Sequence, residues 1–168
     1  MLNKTKYKKI KTKQTKSYSA VNQGHCHPKI VAAMIEQSTR LCLTSRAFHN
    51  DLLGKFSKYI TEYFGYEKVL SMNSGVEAGE TAVKICRKWA HDQNEGRTPP
   101  LPAETATIIF AKNNFWGRTI SAVSSSSDPD CYKGFGPFAP GFKMVEYNDI
   151  GAMEEAFKTT ENLAGVFF

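Results

Sequence analysis

Residues 72–90 read MNSGVEAGETAVKICRKWA, with KVLS at 68–71 immediately before them. Lys68–Asn73 has the length and character of a β-strand. Ser74-Gly75 then lets the backbone turn closely, and from about Glu77 to His91 the spacing is that of a helix. Ala78, Ala82, Cys86, Trp89 and Ala90 are predicted to form its apolar face, opposite Glu77, Glu80, Lys84, Arg87 and Lys88. Acidic residues lead and basic residues trail, which suits the helix dipole.

Working outward, the same alternation recurs. Upstream, Pro28 suits a first helical turn, and Ile30, Met34, Gln37/Ser38 and Leu41 follow at helical spacing. A second helix is predicted near Asn50–Phe64, with Asn50 or Asp51 as cap and Gly65 as stop. Leu52, Leu53, Phe56, Ile60, Tyr63 and Phe64 form its broad apolar stripe. Downstream, residues 92–104 (DQNEGRTPPLPAE) read as a Pro-rich surface loop. Ala106–Ala111 reads as a buried strand, and Asn113–Gly141 as a long Gly/Ser/Pro segment rich in aromatics. Phe142–Tyr147 reads as a strand, Asp149–Lys158 as a helix and Leu163–Phe168 as a further strand. Strands alternating with helices predict an α/β protein, its sheet mostly parallel and covered by helices on both faces. The chain stops on Val166-Phe167-Phe168, inside what reads as a buried strand, so these apolar residues are expected to be exposed and the domain to be truncated.

Composition narrows the possibilities. The 168 residues carry a net charge of +6, but seven lysines and no acid lie in residues 1–16, leaving 15 basic and 16 acidic side chains elsewhere. The basicity belongs to a tail, expected to be a solvated, disordered extension (residues 1–16) ahead of the domain at 17–168. That tail has only Tyr7 for stacking, so nucleic acid is not an expected partner. A mean hydropathy of −0.40, with no apolar run approaching the ~18 residues of a membrane span, predicts no transmembrane helix. Eleven Phe, seven Tyr and two Trp exclude disorder for most of the chain. Cys26, Cys42, Cys86 and Cys131 are scattered without a CxxC pair, so neither a disulfide framework nor a zinc site is expected. His25, Cys26 and His27 lie too close together for metal ligation, and a turn into the Pro28 helix accounts for them better.

Two segments offer chemistry. At Ser74-Gly75-Val76 free N–H groups and the positive end of a helix dipole make an anion site suited to phosphate, although a plain tight connection has the same sequence signature. Neither GxxxxGK[ST] nor GxGxxG is present. Asn113-Asn114-Phe115-Trp116-Gly117-Arg118-Thr119 lies just past the carboxyl end of a strand, where open α/β sheets bind ligands. It combines a flat stacking face with a guanidinium fork for a carboxylate, although loop aromatics also commonly cover a core.

YSAVNQGHCHPKIV, LTSRAFHNDLLGKF, MNSGVEAGETAVKICRKWA, NNFWGRTISAVSSSSDP and GFGPFAPGF, in this order, resemble the class-III pyridoxal-phosphate-dependent aminotransferases, and within them the ornithine aminotransferase branch. The resemblance runs from Ser17 to Phe168 and implies the large domain of fold type I pyridoxal-phosphate transferases. It further implies that Ser74, Gly75 and Val76 cradle the phosphate of pyridoxal 5'-phosphate and that Phe115 stacks on its ring, with Trp116 beside it. Arg118 would grip a substrate carboxylate, and Tyr18 would shape the ornithine pocket. The implied reaction moves the δ-amino group of L-ornithine to 2-oxoglutarate, in a homo-oligomer of the mitochondrial matrix or, alternatively, the cytoplasm. The family's cofactor-anchoring lysine is expected beyond Phe168, and no lysine present stands in its motif. A catalytically inactive fragment is therefore the alternative expectation, and no residue here is assigned a catalytic role.

Overall fold

The computed structural model describes residues 20–168 apart from 46, 97, 99, 101 and 103; the lysine-rich tail at 1–16 and Tyr18 lie outside the described residues. The chain divides into two compact units, one up to Val69 and one from Leu70 to Phe168.

The first unit contains α1 (Pro28–Ser38) and α2 (Leu53–Phe64). Pro28 opens α1, where its missing N–H costs no helical hydrogen bond. Asn50 Oδ1 accepts from the amides of Leu52 (3.0 Å) and Leu53 (2.8 Å), and Gly65 closes α2 with a left-handed φ of 73°. Both expected boundary signals of α2 therefore operate. Its apolar stripe is also present, but no α2 residue is buried.

The second unit holds the sheet. Its elements are α3 (Gly75–Asp92), a 3-10 turn (Gln93–Gly96), β1 (Thr107–Ala111), α4 (Ile120–Ser124), α5 (Pro129–Tyr132), β2 (Phe142–Val145), α6 (Ile150–Thr159) and β3 (Leu163–Phe167). The strand order is β2-β1-β3, parallel throughout. β1 is central and its residues Ile108–Ala111 are buried, so both of its faces need cover. On one face Ile108 and Phe110 pack with Val83 and Ala90 of α3 and with Ala164, flanked by Cys86, Trp116, Phe142 and Phe167. On the other, Ile109 packs with Val145 and with Ala156 of α6, flanked by Met153, Leu163 and Val166. The parallel sheet with helices on both faces is as expected. Burial also pushes the Cys86 thiol up from its ordinary value, with Arg87 pulling the other way.

Three expectations need correction. Lys68–Asn73 is not a strand: the segment pairs with none of β1, β2 and β3 among the described residues. A short apolar run without a ladder partner has no means of satisfying strand hydrogen bonding. The buried residues of α3 are Gly79, Val83 and Ala90, with Cys86 packed beside them; of the predicted stripe Cys86 and Ala90 meet the core, while Ala78, Ala82 and Trp89 (59%) are exposed. The Gly/Ser/Pro segment at 113–141 contains two short helices, with Thr119 and Asp128 capping α4 and α5 by accepting from the amides of Ala122 and Asp130. Finally, Val166 packs in the α6-side core and Phe167 stacks on Phe110 at 5.0 Å, leaving only Phe168 strongly exposed at 87%.

Phe110 has no exposed surface and touches Trp116, Phe142 and Phe167 through ring contacts. Replacing it with alanine should cost about 3–5 kcal/mol, whereas Ile150→Ala at an exposed position should stay within about 0.5 kcal/mol of the parent. Thermal melts of the two variants check this; equal losses would contradict the layered core.

Candidate active site

α3 runs antiparallel to the strands. Its first turns meet the loop that follows β1, while Arg87 near its far end donates to the carbonyls of Pro140 (2.6 Å) and Gly141 (3.3 Å), beside the start of β1. The helix N-terminus thus lies at the carboxyl edge of the sheet, where this architecture places ligands. Ser74 is extended (φ −140°, ψ 163°), and its Oγ accepts from the Glu77 amide at 3.4 Å. Ala78 N is the first to reach back into the helical ladder, to Ser74 O. This leaves the amides of Gly75 and Val76 as donors at the positive end of an 18-residue helix. Nothing lies within 4 Å of where a Gly75 side chain would begin, so an anion has open access. These features fit a phosphate group.

The loop after β1 is held by its polar side chains. Asn113 sits at a left-handed φ of 61° and donates its amide to Ser127 Oγ at 2.8 Å. Asn114 Nδ2 donates to the carbonyls of Ala111 and Ser125, each at 2.8 Å. Trp116 turns inward: its ring stacks on Phe110 at 5.7 Å, and its Nε1 donates to Ser125 Oγ at 2.8 Å. Ser125 is fully buried, and its hydroxyl donates a hydrogen bond to Ala122 O at 3.1 Å.

Two glycines seat the loop on α3. A methyl at Gly79 would lie 2.6 Å from the Trp116 ring, so only a bare backbone lets the indole lie there. Gly117 has φ 144° and presses against the Val76 side chain so closely that a methyl would overlap it. Residues 116–117 are thereby fixed against the first turns of α3, which carry the free amides. Phe115 and Arg118 flank this anchor. Phe115 is 50% exposed and Arg118 is exposed, with the guanidinium carbon 6.0 Å from the Phe115 ring centroid.

Arg118 also lines a cavity of about 310 Å³ with Val123, Asp128, Asp130, Cys131 and Phe135. The Cys131 thiol there is raised from its ordinary value, by desolvation first and then by Asp128, while Arg118 opposes the shift. Among the described residues, no three His, Cys, Asp or Glu side chains gather to hold a metal. No helix there is long and apolar enough to cross a membrane.

Of the residues singled out from sequence, Ser74, Gly75 and Val76 form one turn, Gly117 docks on it at Val76 and Trp116 meets the next turn at Gly79; Phe115 and Arg118 come with them. Trp116 spends its ring and its N–H on packing. Sequence reasoning missed Gly79 and Ser125, and named Asn114 and Gly117 only as members of the loop segment, without a role. The signal available was Gly79, a glycine inside a strongly patterned helix, which marks a close approach by something bulky.

The fold and the helix-start site define an open parallel α/β protein with an anion-binding turn at the carboxyl edge of its sheet. The Aminotransferase class-III family profile matches residues 13–166, and the chain belongs to that family. It is 58% identical over 142 residues to the mitochondrial ornithine aminotransferase of Drosophila melanogaster and 56% identical to the ornithine aminotransferase of Vigna aconitifolia. Each match covers 84% of this chain and 32% of the relative, so the chain spans about a third of their length. The ornithine aminotransferase of Toxoplasma gondii, solved with partial occupancy of pyridoxal phosphate at its active site, is similar at TM-score 0.84 and 50% identity. That likeness covers 90% of this chain and 34% of the other.

Gly117→Ala should lower the urea midpoint, costing about 1–3 kcal/mol through backbone strain and the clash with Val76. Gly96→Ala, in open space, should leave the midpoint nearly unchanged. Equal midpoints for the two variants would contradict the seating of the loop.

Proposed function

We propose that this chain is the part of an ornithine aminotransferase that holds the cofactor phosphate and ring and grips a substrate carboxylate. The observation that carries this is the docking of residues 116–117 onto the first turns of α3, which puts an anion cradle and an aromatic–arginine loop on one sheet edge. The degree of identity to ornithine aminotransferases supports the substrate assignment.

The amides of Gly75 and Val76, with the Ser74 hydroxyl beside them, receive the phosphate of pyridoxal 5'-phosphate through charge-assisted hydrogen bonds. Phe115 offers its exposed ring to the pyridine face, and Trp116 backs the loop that carries it. Bound there, the cofactor supplies the electron sink that amino-group transfer needs. Arg118 presents a planar fork to a carboxylate, binding it bidentately and orienting the amino group of the same molecule. Tyr18 contributes to the ornithine pocket. The overall reaction moves the δ-amino group of L-ornithine to 2-oxoglutarate, leaving glutamate 5-semialdehyde and glutamate. The working protein is a homo-oligomer, and the mitochondrial name of the Drosophila relative supports the mitochondrial matrix as its location.

The test is a chimera in which residues 20–168 replace the matching third of the Drosophila relative. It should consume ornithine with 2-oxoglutarate; a chimera that binds cofactor but refuses ornithine would overturn the substrate assignment. Within it, Arg118→Ala should lower the efficiency of the ornithine half-reaction roughly 30- to 4000-fold, the effect of about 2–5 kcal/mol lost on truncating one partner of a desolvated charge pair. Arg118→Lys should fall between, because it keeps the charge and loses the fork, and cofactor absorbance should persist in both. Unchanged ornithine handling with collapsed cofactor binding would assign Arg118 to the cofactor or the fold instead.

A further inference from the structure

We propose that Ser125 is a positioning residue for the cofactor ring, acting through Trp116. What Ser125 does is fix the indole. Its hydroxyl is fully buried, accepts from Trp116 Nε1 at 2.8 Å and donates to Ala122 O at 3.1 Å. The second hydrogen bond orients the oxygen, so its lone pair faces the indole N–H. The Ser125 backbone carbonyl also accepts from Asn114 Nδ2 at 2.8 Å. One residue on the far side of the loop therefore ties down the positions before and after Phe115, through Asn114 on one flank and Trp116 on the other.

The opposite side of the indole meets Gly79, and the next residue, Gly117, meets Val76. Trp116 is consequently held between α3 and Ser125. If the indole turns, Phe115 and Arg118 move relative to the Gly75–Val76 amides, while those amides, being part of α3, stay where they are. Loss of the Ser125 hydroxyl leaves a partly buried indole N–H without its acceptor, which favours turning. The consequence is selective. Phosphate affinity depends on the helix start alone, whereas the extra affinity of a phosphate that carries an aromatic ring depends on Phe115 being in register with it.

This inference rests on the cofactor reading above, and the experiment separates the two. Dissociation constants of pyridoxamine 5'-phosphate, which has the ring and no aldehyde to condense with lysines, and of glycerol phosphate are measured on the chimera described above and on its Ser125→Ala form, at a temperature where circular dichroism shows both folded. The parent should prefer the ring-bearing ligand, and Ser125→Ala should reduce that preference about three- to tenfold while glycerol phosphate binds as before, the effect of one hydrogen bond of ordinary net strength. Trp116→Phe, which keeps an aromatic ring and lacks the N–H, should reduce the preference similarly, and the double variant should be no worse than the more affected single one. Trp116→Phe also carries the test if Ser125→Ala does not fold. A parent chimera with no preference for the ring would overturn the cofactor reading and this inference with it. A parent that prefers the ring and variants that keep that preference, or lose both affinities in proportion, would overturn the role of Ser125 alone.

Discussion

Trp116 lies against three parts of the second unit at once, and the arrangement of the site depends on it. Its ring stacks on Phe110 of the central strand, lies 5.6 Å from Phe167 of β3, and fits the gap that Gly79 leaves on α3. Its one polar atom is satisfied by a buried serine. An indole has large apolar area and a single donor, so it packs deeply only where a partner awaits that donor. Removing any one of these supports would free the loop that carries Phe115 and Arg118 while leaving the strands themselves paired.

The same packing explains why the chemistry collects at one edge. β1 buries both faces, so helices must cover it front and back, and the connection leaving its carboxyl end has to cross the top of the sheet. There it meets the start of α3, whose first amides have no partner within the helix. The aromatic loop and the anion cradle are neighbours because a buried parallel strand and an antiparallel covering helix bring their ends together. At the opposite edge Arg87, its guanidinium 4.8 Å from the Phe142 ring centroid, clamps the Pro140–Gly141 turn and ties the other end of α3 to the sheet.

Much of this was legible in the sequence because it rests on local signals. Pro28, Asn50 and Gly65 mark helix ends through their own backbone chemistry, and Asp149, at the head of the predicted last helix, caps α6 by accepting from the Ala152 amide. The run at 106–111 is apolar enough to be a strand buried on both sides. What was not legible depends on distant partners. Lys68–Asn73 has strand composition, but pairing is decided by neighbours far along the chain. Cys86 and Ala90 on the α3 face were legible, but Gly79 and Val83 were not, because alanine and tryptophan count as apolar whereas glycine counts as nothing, and Gly79 is where the Trp116 ring packs. Ser125, in a run of four serines, carries no local mark of being the buried one.

The chain has two tryptophans, one held against the core and one exposed on α3, so each serves as the other's reference. Hydrogen exchange of the two indole N–H groups, followed by nuclear magnetic resonance on the 15N-labelled chain, tests the central claim most directly. The Trp116 indole should exchange far more slowly than that of Trp89 and show cross-relaxation to the Gly79 α-protons. Equal, fast exchange of both indoles, with no contact to Gly79, would contradict the account.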